Sequence, residues 1–115
     1  NSLIIINWSK LSLPAQAGRR ASTPIEFWIM FFVYILKSLK DKNLYIGSTN
    51  NLKKRYEEHN LGKVTSTKPR TPFKLIYYEA YVSEKDARHR EHNLKLHARA
   101  LTQLKKRLEG TLEAD

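Results

Sequence analysis

The alternation of apolar and polar positions changes rhythm along the chain, and each change marks an element. Phe31-Phe32-Val33-Tyr34-Ile35-Leu36 is aromatic and β-branched, which favours a strand. Polar residues from Ser38 to Asn43 follow, and the apolar pattern resumes at Leu44-Tyr45-Ile46-Gly47, which predicts a hairpin. A turn centred on Lys40-Asp41 sets Lys37 opposite Leu44, Leu36 opposite Tyr45 and Tyr34 opposite Gly47. Ser48-Thr49-Asn50 supply caps for a helix over Leu52 to His59. Gly62, Pro69 and Pro72 bracket a basic loop, and Phe73 to Val82 reads as a third strand. Ser83, with Asp86 three residues on, caps a helix expected to reach about Arg99. Leu101, Leu104 and Leu108 mark a last short helix. The order β-β-α-β-α-α, with no internal repeat, predicts an α+β domain.

Residues 1–29 lack this patterning. Leu3 to Ile6, an isolated Trp8, Pro14, Gly18, Arg19-Arg20 and Pro24 hold neither a strand nor a helix period. The segment is expected to be a poorly ordered extension, with Met30 the natural start of a domain over 30–109 and a tail over 110–115; a docking arm is the rival reading. The apolar run from Phe27 to Leu36 is too short to span a membrane, and the N-terminus shows no signal-peptide pattern, so the cytoplasm is the default compartment.

Composition adds two constraints. The formal charge is +10, from 21 Lys and Arg against 11 Asp and Glu, which is the footprint of a protein that meets a polyanion. The first 29 residues carry only +2 of it, so the domain keeps +8. No cysteine is present, which excludes disulfides and thiolate metal sites.

The chemistry shows where polar residues occupy apolar faces. Leu52, Arg55, Tyr56 and His59 share one side of the first helix. Arg55 and His59 there either snorkel from the stripe's edge to water or serve a site. Ala87, Glu91, Leu94 and Ala98 share a face of the next helix, so Glu91 points where apolar residues point. A carboxylate in that position needs a positive partner: a structural ion pair with Arg55, or a metal ion. Tyr34 and Tyr45 fall on one sheet face, with Gly47 leaving backbone that a phosphate could approach. Phosphodiester hydrolysis needs such groups, since water must lose a proton and the transition state's added charge must be met. Arg55 offers a fork of donors for that charge, Glu91 can hold Mg²⁺ or Mn²⁺, and Tyr34 can relay a proton.

Val33-Tyr34-Ile35, a spacer, and Tyr45-Ile46-Gly47-Ser48-Thr49, followed by Asn51 to Arg55 and Glu58-His59-Asn60, resemble the GIY-YIG nuclease domain. Ser66-Thr67-Lys68, Pro72 to Glu79, Ala87, Arg90-Glu91 and Leu94-Lys95 extend the likeness from Phe31 to about Leu108, and it is nearest to the small stand-alone bacterial members. The resemblance implies a three-stranded, mainly antiparallel sheet flanked by helices and a metal-dependent endonuclease acting on nucleic acid, DNA above all, in repair or processing. It implies Tyr34 as general base, Tyr45 near the phosphate, Arg55 and His59 as helix partners, and Glu91 as the metal-binding carboxylate. Two positions depart from the pattern: Val33 replaces the first motif's glycine, and Gln103 stands where many active members have asparagine.

Gly47, Lys54, Lys68, Arg70, Lys95 and Gln103 are the expected nucleic-acid contacts, with the basic loop from Lys63 to Lys74 outside the site. A protein partner would supply targeting. Three rival readings stand beside this one. The first is a nucleic-acid-binding module without cleavage, the second a zinc site from His89, His92 and His97, and the third an adaptor using the Leu101, Leu104, Leu108 stripe.

Overall fold

The computed structural model describes residues 29–114, so the expected extension lies outside the described residues apart from Ile29. Strand β1 spans Phe31–Ser38, β2 Leu44–Thr49 and β3 Phe73–Tyr81. Helix α1 spans Leu52–Asn60, α2 Glu84–Leu96, α3 Ala98–Arg107 and α4 Glu109–Glu113. The sheet is three-stranded in the order β2-β1-β3 and antiparallel throughout. Lys37 pairs with Leu44, Leu36 with Tyr45 and Tyr34 with Gly47, the register that the hydrophobic pattern predicts. Within the turn, the buried Ser38 hydroxyl accepts from the backbone N–H groups of Lys40 and Asp41 and donates to the Arg70 carbonyl.

Alternation along the central strand sends successive side chains to two separate cores. Val33 and Ile35 face α2 and α3, where they meet Ile46, Ile76, Ala87, Leu94, Leu104 and Leu108. Tyr34 and Leu36 face α1 and pack with Leu52 and Phe73. Helix α1 is fastened to the start of β3 by polar groups as well. The Asn60 side chain exchanges two hydrogen bonds with the Phe73 backbone, at 2.7 and 3.0 Å, and the Tyr56 hydroxyl donates to the same carbonyl.

Three boundaries differ from expectation. The N-cap of α1 is Asn51, not one of the three residues before it; its side chain accepts from Lys54 N–H. Helix α2 stops at Leu96 because His97 turns into extended geometry (φ −117°, ψ 102°) and starts a new helix, so Ala98 leaves the Ala87–Leu94 face and is exposed. The expected tail over 110–115 is helical as far as Glu113, with Leu112 packed on the core and its carbonyl accepting from Lys37 Nζ.

Gly47 fits this architecture by having no side chain. A β-carbon there would lie 2.5 Å from the Tyr34 hydroxyl and 2.6 Å from Cζ, and Tyr34 is buried with nowhere to retreat. Gly47→Ala is expected to destabilise the domain by about 1–3 kcal/mol as an overpacked core, read as a lower urea midpoint; an unchanged midpoint would show that Tyr34 moves freely.

Candidate active site

The centre of the site is a buried imidazole. His59 is 0 % exposed near the end of α1. Its Nε2 lies 2.9 Å from the Tyr34 hydroxyl and its Nδ1 2.8 Å from Thr67 Oγ1. Thr67 is itself buried and directs its O–H to the Val64 carbonyl. With that proton committed, Thr67 accepts from Nδ1–H, which leaves the Nε2 lone pair to accept from Tyr34. Tyr45 closes the cluster, its ring centroid 4.9 Å from His59 and 6.3 Å from Tyr34.

Burial and charge set the protonation states. Burial pushes the Tyr34 phenol up to about 12, Tyr45 adds to the rise, and the Arg55 guanidinium alongside opposes it. Burial, then the nearby Arg55 charge, hold the His59 imidazole down at about 4 against the pull of Glu58. Both groups are therefore neutral at pH 7.

Glu91 reaches the same region from the opposite sheet face. Its carboxylate accepts from Ser48 Oγ at 2.7 Å and pairs with Lys95 Nζ at 2.8 Å. Burial pushes the Glu91 carboxyl up, but the hydrogen bonds from Lys95 and Ser48 outweigh it and hold the group below its usual value. The rival reading, a structural ion pair with Arg55, is not what forms: Arg55 pairs with Glu58 at 3.2 Å along its own helix. Sequence patterning showed that Glu91 needed a cation and could not show which.

Between these groups and solvent lies a cleft of about 450 Å³, lined by Ser48, Asn51, Lys54, Arg55, Glu58 and Arg88 among others. Tyr34, His59 and Glu91 are not on its wall; they stand behind Arg55 and Ser48. Glu58 and Glu84 also line the cleft, each paired with an arginine. Glu91 is ion-paired as well, to Lys95, and is held by Ser48 off the cleft wall. Its carboxylate oxygens suit a hard divalent cation, which would have to displace Lys95 to reach them. Among the described residues no three His, Asp or Glu side chains gather as a metal cluster. His89, His92 and His97 are all exposed, so the zinc reading has no geometric support.

The remaining expected contacts divide. Lys54 lines the cleft and Lys95 holds Glu91. The backbone of Gly47 is covered by the Tyr34 ring and offers a phosphate no approach there, contrary to expectation. Arg70 is occupied elsewhere: it clamps Asp41 through Nε at 2.7 Å and lies over the Phe73 ring, so it braces the hairpin turn. Lys68 is exposed on the same loop, and Gln103 is exposed on α3 and takes part in none of the site's hydrogen bonds. Ser48 and Glu58 were not foreseen as site residues, and no periodicity marks a short polar side chain that acts by orienting another.

An antiparallel three-stranded sheet thus carries Tyr34, His59 and Arg55 on one side and Glu91 on the other, close to one cleft. The chain belongs to the GIY-YIG catalytic-domain family, which it matches over residues 30–107. Nucleases of this family generally use divalent metal ions. Among its relatives, a UPF0213 protein of Clostridium perfringens is 46% identical over 67 residues, covering 57% of this chain and 71% of its own. One from Staphylococcus haemolyticus is 42% identical over 69 residues, covering 59% and 83%. The solution NMR structure of a UPF0213 protein from Bacillus halodurans is 35% identical, covering 66% of this chain and 82% of its own, at a TM-score of 0.42.

The depressed His59 value has a consequence for stability. Above pH 6.5 the imidazole is neutral folded or unfolded and contributes no pH dependence; between 6.5 and about 4 only the unfolded chain takes the proton. Stability should fall through that window by roughly 3 kcal/mol. Urea midpoints measured from pH 7 to 4 check this against His59→Gln, in which the loss should begin only below about 4.5, where carboxylates titrate.

Proposed function

We propose that this protein is an endonuclease that hydrolyses phosphodiester bonds of nucleic acid, DNA above all, with Mg²⁺ or Mn²⁺ held by Glu91. The observation that carries the reading is the hydrogen bond from the Tyr34 phenol to the neutral His59 imidazole, with the Arg55 guanidinium beside the same hydroxyl. A stability role alone does not require a cation beside a buried phenol.

Magnitudes decide how Tyr34 acts. Ionising a phenol whose pKa is about 12 costs roughly 7 kcal/mol at pH 7, so no standing phenolate serves as base. Instead, His59 takes the phenol's proton as hydrogen-bond acceptor, which leaves the oxygen lone pairs to accept from the attacking water. As that water bonds to phosphorus and the leaving oxygen departs, the water's proton passes to the Tyr34 oxygen while the phenol's own proton shifts to His59 Nε2. The imidazolium, disfavoured by burial and Arg55, returns it through Tyr34 for the leaving oxygen. Arg55 meets the charge growing on the phosphoryl oxygens. Glu91 would hold the cation, whose chemistry there would be to lower the pKa of a bound water and offset charge on the leaving oxygen.

Arg55 borders the cleft, Tyr34 does not, and the guanidinium lies beside the Tyr34 hydroxyl. It is tied to Glu58 by a half-exposed pair of modest strength. A phosphate entering the cleft competes with Glu58 for the guanidinium, and drawing it forward opens the way to the phenol.

Supercoiled plasmid with Mg²⁺ or Mn²⁺ tests the reading. Nicking is expected, lost with EDTA and in Glu91→Ala, and reduced about 10²–10⁴-fold in Tyr34→Phe as for loss of a proton-transfer group. Salt-sensitive binding with no nicking under either metal would establish the non-cleaving binding module instead.

A further inference from the structure

A second cavity, of about 440 Å³, opens further along the same edge of the sheet. Strand β2 is an outer strand, so its free edge runs past both cavities. Ser48 and Thr49 at its end line the catalytic cleft; Leu44 and Ile46 at its start line the second cavity. Helix α2 contributes to both, with Ala87 and Arg88 at the cleft and Leu94 and Lys95 at the second cavity, where α3 adds Leu101 and Lys105. Lys95 joins them, because the ammonium that borders the second cavity also holds Glu91.

The lining has two parts. Half-buried Leu44, Tyr45 and Leu101 form an apolar floor over core residues Ile46 and Leu94, while Lys42, Lys95 and Lys105 stand around it, and no carboxylate lines it. Lys42 sits in the left-handed region (φ 66°) at the hairpin turn, which turns the chain out beside the groove. Lys42, Lys95 and Lys105 are all exposed, and none but Lys95 makes an ion pair among the described residues. Cations around an apolar floor match the chemistry of a nucleic-acid strand, with charge on its backbone and apolar faces on its bases.

We propose that this groove is a subsite for a single unpaired strand running from the scissile phosphate along the β2 edge. It rests on the cleavage reading and adds the form of the substrate: unpaired on at least one side of the cut. From Ser48 to Leu44 the strand rises roughly 13 Å, a span of a few nucleotides. The groove lies between β2 and the helices α2 and α3, and bases can meet its apolar part only when they are not stacked and paired inside a duplex.

Fluorescence anisotropy with a labelled twelve-nucleotide single strand, in EDTA so that nothing is cut, tests the subsite. Lys42→Asn with Lys105→Gln should weaken binding about tenfold and lower the salt slope by roughly 1.4, the value for two lost backbone contacts on a single strand. Lys53→Gln with Lys85→Gln removes the same charge from exposed positions on neither cavity, and should cost far less. A hairpin duplex of equal charge should distinguish the two pairs little. Equal losses for both pairs on the single strand overturn the subsite, as does an equal groove effect on the duplex. Unchanged affinity in the groove pair, with the wild type binding, overturns the subsite and leaves the cleavage reading intact, as does a wild type that binds the duplex but no single strand; a wild type that binds neither overturns both.

Discussion

Everything at the site depends on keeping one imidazole dry and neutral. His59 lies near the end of α1 with a hydrogen bond on each nitrogen, one to β1 and one to the loop before β3. A protonated imidazole would have to donate at both nitrogens, and Tyr34 would then lose its acceptor. Burial together with the Arg55 charge prevents this. The same two bonds seat α1 against the sheet, so the contact that orients the phenol also positions the arginine one turn earlier on that helix. Packing and chemistry are one arrangement here, not two that happen to adjoin.

The two halves of the site come from different cores. Tyr34, Tyr45, Arg55 and His59 belong to the α1 side of the sheet, while Glu91 and Ser48 belong to the α2 side. They meet at the edge strand β2 because adjacent residues of a strand point to opposite faces. Gly47 is the pivot: its missing side chain lets the Tyr34 phenol lie across the strand, and its neighbour Ser48 turns the other way to orient Glu91. A small basic domain thereby surrounds one cleft from both sides of a single sheet.

Much of this was legible in the sequence, for physical reasons that can be named. A period of two and a compact polar turn define the hairpin register, which is why Tyr34 could be set opposite Gly47 from the pattern alone. Arg55, His59 and Glu91 stood out because each breaks an apolar stripe. What was not legible depends on three-dimensional partners. Leu94 and Ala98 continue a helical face with no proline or glycine to stop it, so the turn at His97 leaves no mark in the pattern. Thr67 is a polar residue in a basic loop, and only its place against His59 makes it a buried acceptor. Arg70 looked like a phosphate contact because composition cannot show that Asp41, far away in the chain, already holds it.

The division of the site between two cores has a bearing on life inside a cell. A phosphodiesterase that became active while still forming would endanger the nucleic acid around it. Here neither core by itself supplies both the proton-handling pair and the carboxylate, so a chain with only one side of its sheet covered is chemically unarmed. On the proposed reading, competence requires both helix layers to be packed on the sheet.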